Sequence, residues 1–138
     1  MKAISLLQPW ASLLVMGVKT METRNWGTKY RGEILIHASQ GKAGEIFSKE
    51  NYFKKYIPDF KKLPFGAIIG VATIIDVVKI ESLHMADELL NRLTMEEKAF
   101  GDYSSGRFAW ILEDHKQFKI PIPARGTLSI WEYPGEIM

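Results

Sequence analysis

Lys19, Glu22 and Arg24 lie within six positions of one another in QPWASLLVMGVKTMETRNW, with Trp10 before them and Trp26 just after. In an extended chain Thr20, Glu22, Arg24 and Trp26 share one face by the period of two, and Lys19 stands at the mouth of the preceding turn. A glutamate and an arginine at that spacing can simply pair. Such a half-buried pair adds little stability unless its remaining hydrogen bonds are met. It also leaves the lysine and the two indoles unexplained. Cation, carboxylate, guanidinium and indole together are the groups that read a nucleotide: arginine or lysine holds phosphate, glutamate accepts from a base amine, and an aromatic face stacks the ring.

Other candidates are weaker by residue type. Tyr30 and Arg31 in GTKYRG form either an exposed turn or a pair that stacks a base and grips a phosphate. Trp110 and Trp131 sit in apolar strand contexts and read as core. His37, His84 and His115 have no metal-ligand spacing, so no metal site is expected. His37 ends an apolar strand, where a satisfied, half-buried imidazole is the default. The loop GDYSSG lacks the phosphate-cradling pattern of a nucleotide triphosphatase, and no cofactor is expected.

These groups need a scaffold, and 138 residues suffice for one domain with a real core. Hydrophobic residues make up 46% and charged residues 25%, the balance of a globular fold. No apolar run approaches the roughly 20 residues of a membrane span, and Pro9 and Trp10 cut the first one too short for a signal peptide. The lack of cysteine removes disulfides and thiolate metal sites and suits a cytoplasmic location. Net charge is only +2, but it is unevenly spread. Residues 19–31 hold Lys19, Arg24, Lys29 and Arg31 against Glu22, and residues 42–62 hold six lysines against three acids. Residues 87–102 are acidic, which leaves one face for an anionic partner or merely a solvated surface.

The chain begins with a short strand over residues 2–7. Pro9 suits a helix first turn, and the helix through WASLLVM should stop at Gly17. Residues 20–26 run extended, EILIHAS (33–39) is a strand, and a helix is expected over 44–56, ending before Pro58. The β-branched stretch GAIIGVATIIDVV (66–78) is the clearest strand. A helical segment from about Ser82 to Lys98 precedes the strand RFAWILED (107–114), a turn near His115–Gln117, the strand FKIPIP, and a last strand near 127–133. The class is α+β: a small barrel of about six strands with two or three peripheral helices.

The segments QPWASLL, GVKTMETRNW, YRG and IHAS closely resemble the ASCH domain family, named for homology to the activating signal cointegrator and placed among PUA-like β-barrels. Its G-x-K-x-x-E-x-R pattern is met at Gly17, Lys19, Glu22 and Arg24, and GAIIGVATIID and GDYSSGRFAWIL resemble its later strands and the loop between them. The resemblance implies a single ASCH domain over residues 1–138. It also implies a cleft lined by Lys19, Glu22 and Arg24 with Gln8 and Trp10 beside them, and by Tyr103, Ser104, Ser105 and Arg107 from a facing loop.

The expected function is therefore a nucleic-acid-binding module, for RNA or another single strand, with Trp26, Tyr30 and Arg31 as further contacts. The alternative is a small hydrolase, either a ribonuclease or an amidohydrolase on acetylated cytidine. A lysine in a low-dielectric cleft can serve as base. Lys19 would then be the catalytic base, with Glu22 and Tyr103. In the amidohydrolase branch a threonine follows the lysine by three residues. Here Glu22 stands at that position, and Thr20 and Thr23 are out of register. A protein-docking role for the lysine-rich segment 44–56 is a third reading.

Overall fold

The structure is a computed structural model that describes residues 1–81 and 87–137, so His84 and the expected helix start at Ser82 lie outside the described residues. In chain order the elements are β1 (Lys2–Leu6), α1 (Trp10–Val15), β2 (Met21–Arg24), β3 (Gly32–Ala38), a 3-10 segment (Ala43–Lys49) and α2 (Asn51–Lys54). Then follow β4 (Ala67–Lys79), α3 (Asp87–Arg92), α4 (Met95–Phe100), β5 (Phe108–Pro123) and β6 (Ile130–Glu132). The strands form one six-stranded sheet in the order β2-β5-β4-β3-β1-β6. It curls into a half-barrel with the short helices at its margins. Only β1 and β3 run parallel among the paired strands of the described residues.

Bulges curl the sheet. The β4–β5 register slips between Ile68 and Gly70, between Val71 and Thr73 and again between Ile74 and Asp76, and each slip bends and twists the pair. In the main core Ile34, Ile36, Ile69, Ile74, Trp110 and Leu112 cluster with Leu14 and Val15 of α1. Ala11 to Val15 are all buried, and each leucine contributes about 1.5–3 kcal/mol by leaving water. Gly70 lets α1 sit this close, because a Cβ there would lie 2.3 Å from the Lys116 carbonyl oxygen and 2.6 Å from Val15.

Two expected elements differ. The helix over 44–56 is a 3-10 segment and a single α-turn, broken at Glu50, whose backbone is extended. Gly44, at the start of the 3-10 segment, lies against the Gln8 carbonyl and the Trp10 ring, where a side chain would collide. The expected turn at His115–Gln117 is absent, and β5 runs unbroken to Pro123. Asp114 absorbs the irregularity at φ 53, while His115 Nδ1 donates to the Leu14 carbonyl at 2.7 Å and ties β5 to α1. Trp110 is core at 1% exposure, whereas Trp131 is half-buried against Ala3, Leu35 and Ile68.

Candidate nucleic-acid interface

The α1–β2 turn sets the geometry. Gly17 takes φ +78, open to glycine at little cost, and the amides of Val18 and Lys19 both return to the Leu13 carbonyl, at 3.1 and 3.0 Å. This tight reversal aims Lys19 inward. Its side chain is fully buried, its Nζ donates to the Met21 carbonyl and, at 3.5 Å, to that of Phe100, and it lies 3.5 Å from Glu22 Oε1. The other Glu22 oxygen accepts from Arg24 Nε at 3.1 Å, and Arg24 Nη2 donates to the Ser5 carbonyl at 2.8 Å. The three side chains form one charge-alternating chain from core to surface, 0%, 14% and 22% exposed in turn.

Strand β2 makes this possible. Its Met21 and Thr23 turn into the protein while Glu22 and Arg24 face the opening, and pairing with β5 sets Glu22 opposite Trp110 and Arg24 opposite Phe108. The guanidinium lies 5.8 Å from the centre of the Trp26 ring, which meets Trp110 edge-on at 4.9 Å. Trp110 Nε1 donates to the Trp26 carbonyl at 3.2 Å, fixing the start of the following loop.

Glu22, Arg24 and Trp26 line a hollow of about 660 Å³ whose far walls include Trp10, Phe47, Asp102 and Arg107. Trp10 packs on Phe47 with ring centres 5.2 Å apart. Arg107 is braced by donating Nε to the Asp102 carbonyl and Nη2 to the Thr23 carbonyl, both at 3.1 Å. Asp102 stays ionised below the usual carboxylate range, chiefly through the Ser104 hydroxyl and amide, with Arg107 adding to the effect.

The other sequence candidates fall elsewhere. Lys19 lies behind the hollow's wall, not in its lining. Gln8 is wholly buried and braces the backbone, donating to the Pro64 carbonyl and accepting from the Ser12 amide, each at 2.9 Å. Tyr30 donates to the Glu33 carbonyl, and Arg31 to the carbonyls of Thr28 and Tyr30, on a surface outside the lining. Ser104 and Ser105 are exposed and also outside it. Tyr103 turns inward against the cluster of Met21, Ile80 and Ile111. Its hydroxyl is buried with no protein partner, and burial, then the carboxylates of Glu97 and Glu22, push its pKa far up, so the phenol is neutral. Asn25, Phe47 and Asp102 join the lining without having been singled out. Asp102 stood in the quoted loop GDYSSG, while Asn25 and Phe47 carried no signal of their own. Among the described residues no group of three or more His, Asp or Glu could hold a metal ion, and no helix is long and apolar enough to cross a membrane.

A curled half-barrel bearing this motif defines the class: residues 4–122 match the ASCH domain, and the chain belongs to that PUA-like family. Among curated relatives, Activating signal cointegrator 1 of Mus musculus and that of Homo sapiens are each 27% identical over 140 residues, covering 97% of this chain and 22% of their own length. The chain thus spans about a fifth of these relatives. Among solved structures, ASCH from Zymomonas mobilis superposes with a TM-score of 0.52 at 23% identity, over 88% of this chain and 71% of that one. A mutant of that protein gives 0.51 at 23% identity, over 88% and 72%. At that identity the likeness concerns the fold.

Proposed function

We propose that this chain is an RNA-binding module that holds a few unpaired nucleotides in the hollow beside Trp26. One observation carries the reading: the Arg24 guanidinium is fixed by Glu22 and the Ser5 carbonyl, beside an indole, and shares the lining of one hollow with a second braced guanidinium, Arg107. Fixed guanidiniums meet phosphate without losing side-chain freedom on binding, and Trp10 and Trp26 offer stacking faces worth about 1–3 kcal/mol per base. The general association of PUA-like folds with RNA supports the same reading. In it Lys19 is a positioning residue that holds Glu22, and through Glu22, Arg24.

A labelled single-stranded RNA titrated at two salt concentrations tests this. Two phosphate contacts give a slope of log affinity against log salt near −1.4, about −0.7 for each. Arg24→Ala weakens binding about tenfold or more with the fold intact, by circular dichroism. Absence of binding at low salt, or an unchanged Arg24→Ala variant, overturns it.

The hydrolase alternative has less support. Of Lys19, Glu22 and Tyr103, only Glu22 lines the hollow. The Lys19 ammonium already has three oxygen partners. Product formed from RNA or acetylated cytidine by the parent protein and lost in Glu22→Gln would revive it.

A further inference from the structure

A second hollow, of about 880 Å³, adjoins the first and shares Ser5, Arg24 and Ser39 with it. Their chemistries differ. The first carries Glu22 and Asp102 among aromatic rings. The second has no carboxylate in its lining; it has Arg24, Arg125, and the hydroxyl residues Ser39, Thr127 and Ser129. Arg24 therefore stands on a saddle between a ring-shaped chemistry and an anion-shaped one.

The outer wall of this second hollow, residues 124–129, is a built feature. His37 Nε2 donates to the Ala124 carbonyl at 2.8 Å, so Nδ1 is left to accept from the Ser5 hydroxyl at 3.0 Å. Trp131 Nε1 donates to the same Ser5 oxygen at 3.2 Å, and the Ala124 amide donates to the Gly66 carbonyl at 3.1 Å. Gly126 rests directly on the pair, since a Cβ there would lie 2.4 Å from Ser5 Oγ and 2.7 Å from His37 Nδ1. Ser5 and His37 are thus occupied in pinning the wall.

What the wall presents faces away from the protein's own hydrogen bonds. Among the described residues, Arg125 has no hydrogen-bond or ion-pair partner, and no backbone or side-chain group accepts from the amides of Arg125, Gly126, Thr127 or Leu128. The exposed Arg125 guanidinium next to a run of amides without protein acceptors, in a lining that holds no carboxylate of its own, is a donor set for a phosphate group, joined from the saddle by Arg24, which Glu22 holds from behind at 3.1 Å.

We infer that this second hollow binds a phosphate group of the nucleotide whose base lies beside Trp26, with Arg24 and Arg125 on either side of it. The inference rests on the reading of the first hollow as a nucleotide site.

The test uses the whole protein, nitrogen-15 labelled, titrated with adenosine, adenosine 3′-monophosphate, adenosine 5′-monophosphate, the diester ApA and inorganic phosphate. At least one phosphorylated probe binds about tenfold more tightly than adenosine, the scale of one charge-assisted contact. Its amide shifts include residues 125–128. Arg125→Ala erases that gain while leaving adenosine affinity unchanged, and Arg125→Lys restores part of it. A gain with ApA assigns an internal phosphate, and a gain only with a monophosphate assigns a terminal one. Equal affinity for adenosine and every phosphorylated probe, or a gain that survives Arg125→Ala, overturns the inference while RNA binding still judges the first hollow separately. If no nucleoside probe binds, saturable phosphate shifts at 125–128 that vanish in Arg125→Ala sustain the anion site alone, and their absence removes it.

Discussion

The two flanks of β2 handle buried charge in opposite ways. Toward the cleft, Lys19, Glu22 and Arg24 each meet a partner, and the chain of contacts ends on the Ser5 carbonyl. Toward α4, Glu97 is 4% exposed and uses one oxygen to accept from the Thr20 amide and hydroxyl, at 2.5 and 2.7 Å. Its other oxygen has no protein partner, nor does the neighbouring Tyr103 hydroxyl. The segment Thr94-Met95-Glu96-Glu97 has the spacing of a capping box. Thr94 does accept from the Glu97 amide at 3.1 Å, yet the Glu97 carboxylate leaves its own helix to hold the turn before β2. The first flank spends buried polarity to fix a surface guanidinium. The second spends it to fix a backbone turn and leaves two polar atoms unanswered. Satisfaction, more than burial, separates the two flanks.

The sharpest way to break this contrast is Lys19→Met. It leaves Glu22 facing an apolar wall and should cost about 3–5 kcal/mol in urea unfolding, the range for removing one member of a buried pair. A loss below about 1 kcal/mol, the scale of an exposed pair, would show that the chain of charges is incidental. Adding Glu22→Gln to that variant should return about 1–2 kcal/mol, since the two sites share a contact and cannot be additive. On the other flank, Tyr103→Phe should raise stability by about 1 kcal/mol, because it removes a buried donor that lacks an acceptor. A destabilised Tyr103→Phe would mean that the hydroxyl is met by water or ligand. The smallest effect calibrates the rest. Lys2 and Glu132 pair at 2.8 Å on the exposed surface, each shifting the other toward its charged form. Glu132→Gln should leave the melting temperature unchanged within error, as surface pairs do.

Much of this arrangement was legible in the residues. The period of two put Glu22 and Arg24 on one face, and the β-branched run of 66–78 announced the central strand, Ala67–Lys79. What the pattern could not show was depth. Lys19 reads as a cleft-lining cation, but the return of two amides to Leu13 carries it past the lining into full burial. The 44–56 segment has helical composition, yet the extended backbone of Glu50 divides it. Residues 127–129 read as the start of the last strand, which instead begins at Ile130. Their role depends on His37 and Ser5, distant in sequence, and no local spacing reports that contact.

One pairing has a temporal consequence. Strand β1 lies between β3 and β6, with Ala3 opposite Leu35 on one side and Trp131 on the other. The start of this sequence therefore waits, during synthesis, for almost all of it to emerge. Until residues 130–132 arrive, β1 keeps an open edge that can recruit a foreign strand. With β3, β4 and β5 already assembled beside it, closing that edge newly orders only the connection between Pro123 and Ile130. Ser5, which floors both hollows, gains its Trp131 contact in that same last step. A chain stalled short of β6 therefore carries Lys19, Glu22 and Arg24 but lacks the Trp131 contact to Ser5.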